Sequence, residues 1–156
     1  MRLSRIGWFL AAAIFLAGCG GGDPWLRKSV FPPRASIQQL EPQADGGWKL
    51  QLRLQNFSSV SMTFDSAQGT LEVAGHPAGE VSVTPSLRIG PESADVVDAT
   101  LKPSPDAARA VDALHGTGSV RYKLTGKITT SHPSGEHPYT FEGVLTPVPG
   151  LVGVLR

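Results

Sequence analysis

The segment Trp48-Lys49-Leu50-Gln51-Leu52-Arg53-Leu54-Gln55 decides the fold. Its even-numbered positions are apolar and its odd-numbered positions are polar or charged. Because successive side chains of a β-strand point to opposite faces, this alternation predicts a strand with one buried and one solvated face. The turn-forming residues 45–47 precede it, so residues 37–42 are predicted to form the preceding antiparallel strand.

The same period of two residues recurs along the rest of the chain. The second long strand is predicted over residues 118–130, with Val120, Tyr122, Leu124 and Ile128 on its inner side. Shorter strands are predicted at 60–65, 71–73, 81–83, 96–101 and 138–146. A turn at 133–135 joins the last two strands into a hairpin, in which Glu142 can lie opposite an exposed lysine.

One segment has helical spacing instead. Ser104 is suited to an N-cap and Pro105 to the first helical position, and apolar residues then recur every three or four positions. The sequence therefore predicts a single short helix at about 104–115. About seven or eight short antiparallel strands with one helix indicate an all-β fold, an antiparallel β-sandwich.

The N-terminus has the organisation of an export signal. Arg2 and Arg5 precede an apolar run from Ile6 to Leu16, which is shorter than the roughly 20 residues that a membrane-spanning helix needs. The run ends in Leu16-Ala17-Gly18-Cys19, which resembles the lipobox of bacterial lipoproteins. The resemblance implies that Cys19 carries a diacylglycerol and becomes the acylated N-terminus after cleavage. The alternative is an ordinary signal peptide that happens to end beside a cysteine.

The lipoprotein reading sets the expected location and domain plan. The resemblance implies anchoring in the bacterial cell envelope, in the outer membrane facing the periplasm, since glycine rather than aspartate follows Cys19. We predict a signal peptide (1–18), a lipidated N-terminus and tether (19–34), a β-sandwich (35–147) and a C-terminal tail (148–156). The apolar residues of the tether can lie on the membrane or pack on the domain. The tail can add an edge strand or bind a partner.

Processing also changes the charge and the chemistry available. Removal of Arg2 and Arg5 lowers the formal net charge from +1 to −1, so nothing in the composition favours a nucleic-acid partner. Cys19 is the only cysteine. If it carries lipid, the domain has no disulfide and no thiol nucleophile, and packing alone must stabilise it.

A second resemblance covers about residues 35–147. The segment from Leu52 to Ser58, followed by an alternating strand that contains Phe64, resembles the hallmark of the late embryogenesis abundant type 2 group. This group is also called the water-stress and hypersensitive-response (WHy) domain. Residues 71–75 and 122–126 fit as well, whereas Phe57-Ser58 stands where many members have Pro-Asn. The resemblance implies an immunoglobulin- or fibronectin-III-like sandwich with a non-enzymatic role, in stress protection or in binding partners.

Two sets of residues are candidate sites within the domain. Asn56 of the hallmark is suited to closing the turn between two strands, and ligand contact is the alternative. Arg121, Lys123 and Lys127, here called the basic stripe, share the outer side of one predicted strand, with Lys49 and Arg53 as possible neighbours. The stripe is either a solvated sheet face or a surface for anionic lipid headgroups or lipopolysaccharide.

No pattern in the sequence indicates catalysis. Segment 132–137 superficially resembles a metalloprotease motif, but Pro133 and Gly135 place its two histidines in a turn and not on one helical face. Asp95 and Asp98 are read as surface charges. We therefore predict no metal, no cofactor and no enzymatic activity. The alternative function is a binding module for a hydrophobic or anionic envelope component within an assembly, and an enzyme is the third possibility.

Overall fold

The computed structural model describes residues 28–114 and 117–156. Within them the chain forms eight strands and one helix. The elements are β1 (Arg34–Pro42), β2 (Trp48–Gln55), β3 (Met62–Val73), β4 (His76–Val83), β5 (Leu87–Ile89), β6 (Ala94–Leu101), α1 (Pro105–Asp112), β7 (Val120–His132) and β8 (Ser134–Leu145). No helix among the described residues is long and apolar enough to cross a membrane.

The strands form two antiparallel sheets. One sheet has three strands in the order β1-β2-β6, and the other has the order β4-β3-β7-β8 with β5 paired to the start of β3. Side chains from both sheets form one hydrophobic core. The predicted all-β sandwich with one short helix is therefore confirmed.

The alternation in β2 is confirmed residue by residue. Trp48, Leu50, Leu52 and Leu54 are all buried, whereas Lys49 and Arg53 are exposed. The four predicted inner residues of β7 are also buried. Fully burying side chains of this size contributes about 1.5–3 kcal/mol each, so β2 supplies much of the core from the smaller sheet.

The structure corrects the prediction at β3. Two separate strands were predicted at 60–65 and 71–73, but a single strand of 12 residues runs from Met62 to Val73. Its middle, from Ser66 to Thr70, has Ala67 as its one apolar side chain and contains Gly69, so it lacks the alternation that signals a strand. Backbone pairing with β7 continues through this part, with register shifts between Thr63 and Ser66. Hydrogen bonds to a neighbouring strand do not require an apolar side chain.

The helix begins as the sequence predicts. The Ser104 hydroxyl accepts a hydrogen bond from the Ala107 backbone N–H at 3.3 Å, and Pro105 is the first helical residue. Ala107 and Val111 are buried against the core. The helix ends at Asp112, earlier than the predicted 115, and the predicted cap Gly116 lies outside the described residues.

A buried tyrosine joins the two sheets. Ile37 lies opposite Leu52 in the β1–β2 pair, at a position whose backbone groups face away from β2. The Ile37 N–H donates to the hydroxyl oxygen of Tyr122 on β7 at 3.1 Å, and that hydroxyl donates to the Ile37 carbonyl at 3.3 Å. One side chain of the larger sheet thus satisfies an edge donor and an edge acceptor of the smaller sheet.

The C-terminal tail also packs on β1. Leu155 exchanges two backbone hydrogen bonds with Leu40, at 2.9 and 3.0 Å, and forms an isolated bridge with Pro147. The tail folds back on itself between these contacts, because the Val148 N–H donates to the Val154 carbonyl at 2.9 Å. It therefore covers part of the β1 edge through an isolated bridge and does not form the edge strand that the sequence allowed.

Alkaline pH is expected to destabilise the fold through its two tyrosines. Burial raises the pKa of Tyr139 to about 12. Burial also raises the pKa of Tyr122, against an opposing effect of its hydrogen bond with Ile37. Because both folded-state pKa values are raised, the stability that the protonated tyrosines contribute is complete below pH 10. It is lost as the pH rises towards about 12. Ultraviolet absorbance of tyrosinate and circular dichroism should therefore change together across that interval.

The two tyrosines serve as controls for each other. Tyr122→Phe should lower the free energy of unfolding at neutral pH by about 1–3 kcal/mol, because it leaves the Ile37 backbone groups without their partner. Tyr139→Phe should have a smaller effect at neutral pH, since the Tyr139 hydroxyl makes no hydrogen bond within residues 28–114 and 117–156. Equal losses for the two variants in urea unfolding would contradict the inter-sheet role of Tyr122.

Candidate functional site

The chain reaches the domain beside the loop between β2 and β3. Cys19 lies outside the described residues, so its predicted lipidation stays a prediction. The Ser59 N–H donates to the Ser29 carbonyl at 2.9 Å, and the Phe31 N–H donates to the Ser58 hydroxyl at 2.9 Å. The end of the predicted tether therefore packs on the domain, although the side chains of Val30 and Phe31 stay about half exposed.

Asn56 lies at the centre of this end of the sandwich. Its side chain is fully buried. The amide nitrogen donates to the Val60 and Gly90 carbonyls, both at 2.8 Å, and shares a longer contact of 3.3 Å with the Ile89 carbonyl. The amide oxygen accepts from the Ser58 N–H at 2.9 Å. One carboxamide thus satisfies backbone groups of two separate loops.

Backbone bonds complete the same junction, which we call the Asn56 hub. The Asn56 N–H donates to the Ser93 carbonyl at 2.9 Å, and the Glu92 N–H donates to the Ser58 carbonyl at 3.0 Å. The hub therefore connects the β2–β3 loop, the segment between β5 and β6, and, through Ser58, the incoming chain. This geometry supports the structural role of Asn56.

The basic stripe lies on the outer face of the larger sheet, but two of its cations are paired with acids. Lys123 is opposite Glu142 in the β7–β8 register, with 3.9 Å between their charged atoms. Lys127 lies 3.1 Å from Glu136. Arg121 has no acidic partner among the described residues, and exposed Val144 lies opposite it. The predicted position of Glu142 is confirmed.

Lys49 and Arg53 do not extend the stripe. Both lie on β2, in the three-stranded sheet, whereas the stripe lies on β7 in the other sheet. Lys49 pairs instead with Asp98 of β6 at 3.3 Å. The prediction that Lys49 and Arg53 neighbour the basic stripe is therefore wrong, because the outer faces of the two sheets of a sandwich point in opposite directions.

The two histidines of segment 132–137 lie in strands and not in the predicted turn, with His132 at the end of β7 and His137 in β8. The Nε2 atom of His137 lies 3.1 Å from the Thr130 hydroxyl, and the Asp95 carboxylate accepts from the Val96 N–H at 2.8 Å. Within the part of the chain that the structure describes, no three histidine, cysteine, aspartate or glutamate side chains are grouped to hold a metal ion.

Sequence reasoning missed one surface feature. A groove separates β4 from β6, lined by Ser82 and Val83 on one side and by Asp98 and Ala99 on the other. Both strands are edges of their sheets. The alternation in each strand was visible in the sequence, but strand order decides which edges remain unpaired, and no local pattern encodes that order.

Loss of the Asn56 side chain should strongly destabilise the domain. Asn56→Ala leaves three carbonyls and the Ser58 N–H without their buried partner, so the free energy of unfolding should fall by about 2–4 kcal/mol in urea titrations. Asn56→Asp should be nearly as damaging at neutral pH, because a carboxylate accepts but cannot donate. The neighbouring Gln55→Ala should change stability by about 0.5 kcal/mol or less. A wild-type unfolding midpoint for Asn56→Asp would contradict the proposed donor role.

Comparison with known proteins places this fold in context. The solution structure of AT1g01470 from Arabidopsis thaliana is similar over 76% of this chain and 83% of that chain, with 16% identity and a TM-score of 0.55. A crystal structure of a protein from Archaeoglobus fulgidus covers 76% of this chain and 97% of its own, with 15% identity and a TM-score of 0.42. The solution structure of a putative late embryogenesis abundant protein, At2g46140.1, covers 74% and 72%, with 15% identity and a TM-score of 0.43. No curated protein sequence matches the chain.

The match at the family level is more extensive. The model of the late embryogenesis abundant protein family matches residues 51–145, which run from within β2 to the end of β8 and contain the whole Asn56 hub except the incoming chain. This segment is more than half of the chain. The chain therefore belongs to the late embryogenesis abundant protein family.

Proposed function

We propose that this chain is a lipid-anchored, non-catalytic protein of the bacterial cell envelope, with a domain that acts in desiccation or osmotic stress protection or in protein interaction. The family match over residues 51–145 carries the proposal, since it supports a stress-related domain without enzymatic activity. The lipobox-like segment ending at Cys19 supports the anchor. Glycine after Cys19 favours the outer membrane, with the domain in the periplasm.

The interior of the domain is consistent with this role. The buried polar side chains are Asn56, Ser58 and Thr130. Asn56 and Ser58 bond to loop backbone, and the Thr130 hydroxyl donates to the Pro133 carbonyl at 2.6 Å. Every buried side-chain nitrogen and oxygen among the described residues has a hydrogen-bond partner. The buried polar groups are thus engaged in holding loops together.

The contacts of Ser29 with the domain suggest how the domain would be oriented. Ser29 already bonds to Ser59 beside the Asn56 hub. Between Cys19 and Ser29 lie ten residue steps, which span at most about 35 Å when extended. Under the proposal, the hub lies at the end of the sandwich nearer the membrane, and the rest of the domain extends away from it.

The alternative function, a binding module for an anionic or hydrophobic envelope component, has one observation in its favour. Arg121 lacks an acidic partner among the described residues and lies opposite exposed Val144. These two side chains border a shallow hollow of about 370 Å³ that also includes Glu72, Lys123 and Glu142. A cation beside an exposed apolar side chain suits the headgroup region of an anionic lipid. The ion pairs of Lys123 and Lys127 reduce the charge that the stripe offers.

Anchoring and protection can be tested together in cells that lack the gene. Wild-type protein should incorporate labelled fatty acid, sediment with membranes and restore survival of drying and osmotic shock. Cys19→Ser should abolish the labelling, because serine cannot form the thioether, and should lower survival if protection depends on the membrane location. Survival is counted as colonies after drying and rehydration.

The matched control is Gly21→Ala, which changes the tether without removing the thiol. It should behave as wild type in labelling, sedimentation and survival. Labelling of Cys19→Ser at the wild-type level would contradict the anchor. Equal survival of the deletion strain and the complemented strain would contradict the protective role and leave the interaction role as the function.

The binding alternative predicts weakened contact with anionic vesicles. Arg121→Gln should reduce co-sedimentation of a form starting at residue 28 with phosphatidylglycerol vesicles by about five-fold in affinity, since a basic side chain near such a surface contributes about 1 kcal/mol. Adding Lys123→Gln and Lys127→Gln should weaken binding further, because Glu136 and Glu142 lose their partners. Lys49→Gln with Arg53→Gln, on the opposite sheet, is the control and should change little. Equal binding by all these variants would contradict the alternative.

A further inference from the structure

The two lateral sides of the sandwich differ. On the side of β1 and β8, Tyr122 bonds to the Ile37 backbone and the C-terminal tail bonds to Leu40, so backbone groups at the β1 edge are used. On the opposite side lie β4 and β6, each the last strand of its sheet. No strand among the described residues closes this second side.

The outward backbone groups of β6 can be identified from two observations. The Asn56 N–H bonds to the Ser93 carbonyl, so even-numbered residues of β2 direct their backbone groups towards β6. Their partners in β6 are the odd-numbered residues. The Val96 N–H bonds instead to the Asp95 carboxylate, which agrees with an outward direction. Val96, Asp98 and Thr100 therefore direct an N–H and a carbonyl away from β2.

These outward groups have no backbone partner within residues 28–114 and 117–156. They form a row along one edge, with the spacing that an added strand requires. The Asp95 carboxylate occupies the Val96 donor in the free domain. It is exposed and can turn away, so it protects the edge from indiscriminate pairing without closing it permanently.

The groove beside this edge can accept side chains. Two adjoining hollows of about 780 and 560 Å³ lie between β6 and the end of β4, and Ser82, Val83 and Asp98 border both. Val83, Leu87 and Val97 are partly buried hydrophobic residues that pack against the core along it. A strand added to β6 would direct alternate side chains towards these residues, because side chains alternate between the two faces of a sheet.

The charge of the groove specifies the occupant. The charged side chains that border it are Asp45, Asp95, Asp98 and Lys49, with a net charge of −2. Lys49 and Asp98 pair at 3.3 Å, which leaves two further carboxylates. A second copy of the chain would bring the same aspartates together along one seam, and like charges repel. A basic segment from another protein matches the groove better.

We propose that the β6 edge binds an extended, basic polypeptide segment as an added strand. Backbone hydrogen bonds to Val96, Asp98 and Thr100 provide affinity. Apolar side chains at alternate positions enter the groove beside Val83 and Val97, and the intervening lysines or arginines share the Asp98 carboxylate with Lys49. This site uses neither Cys19 nor the basic stripe. Results on the lipid anchor or on anionic-lipid binding therefore do not decide whether the site exists.

The test uses the full chain in non-ionic detergent and a labelled peptide of alternating lysine and valine. Fluorescence anisotropy should show saturable binding. Amide hydrogen exchange of Asp98 and Thr100 should slow on addition of the peptide. A peptide with methyl groups on alternate backbone nitrogens should bind at least about ten-fold more weakly, because it lacks the donors that pair with an edge. A glutamate–valine peptide should bind more weakly still.

Two variants locate the site on the protein. Asp95→Asn with Asp98→Asn should weaken binding about five-fold at low salt, and high salt should remove the difference. The matched control is Glu136→Gln with Glu142→Gln on β8, which should bind as wild type. Thr100→Pro removes one outward N–H and should weaken binding without disrupting the pairing with β2, since edge strands tolerate proline at such positions.

Several results would overturn the proposal. Equal affinity for the methylated peptide would show that no strand is added. Exchange protection confined to β8, or an equal loss in the Glu136 and Glu142 control, would place binding on another edge. Dimerisation of the chain that Thr100→Pro abolishes would show that a second copy, and not a basic segment, occupies β6.

Discussion

The buried carboxamide of Asn56 is the interaction on which the rest of this domain depends. A sandwich is held together mainly by contacts between two sheets, but its loops must also bring each strand to the correct sheet. The Asn56 side chain bonds to carbonyls in the β2–β3 loop and in the β5–β6 segment, and thereby fixes where the chain leaves one sheet and enters the other. Ser58, held by the same side chain, fixes the incoming chain.

The sequence predicted strands where side-chain burial alternates, and it was wrong where pairing alone defines the strand. In β2 each even residue is buried and each odd residue is not fully buried, so a period of two is visible in the sequence itself. In the middle of β3, Ser66 to Thr70 contribute little apolar surface. They pair on one side with β4 and on the other with β7, which lies more than 50 residues away in sequence. Only knowledge of the partner strands could have shown that this segment is part of a strand.

The candidate sites show the same limit. The chemistry of Asn56 was readable, because a buried amide after a strand has few roles other than satisfying backbone groups. The sequence predicted that the cations of the basic stripe share one face of a strand, but it did not show how much of their charge is compensated by neighbouring acids. Lys127 is compensated by Glu136 of the neighbouring strand, and Lys49 belongs to the other sheet. The charge of a sheet face depends on register and strand order, which emerge only when the sheets assemble.

The two sides of the sandwich differ in what covers their edges. The tail closes against β1, and Tyr122 satisfies the nearby backbone groups, so that side contributes to stability. Within the described residues, no corresponding segment covers the β6 edge. This edge has exposed aspartates in place of packed apolar side chains. A sheet edge left with exposed backbone groups risks aggregation unless charge or shape restricts its partners. In the proposed site at β6, the carboxylates that disfavour pairing with a second copy also favour a partner of opposite charge.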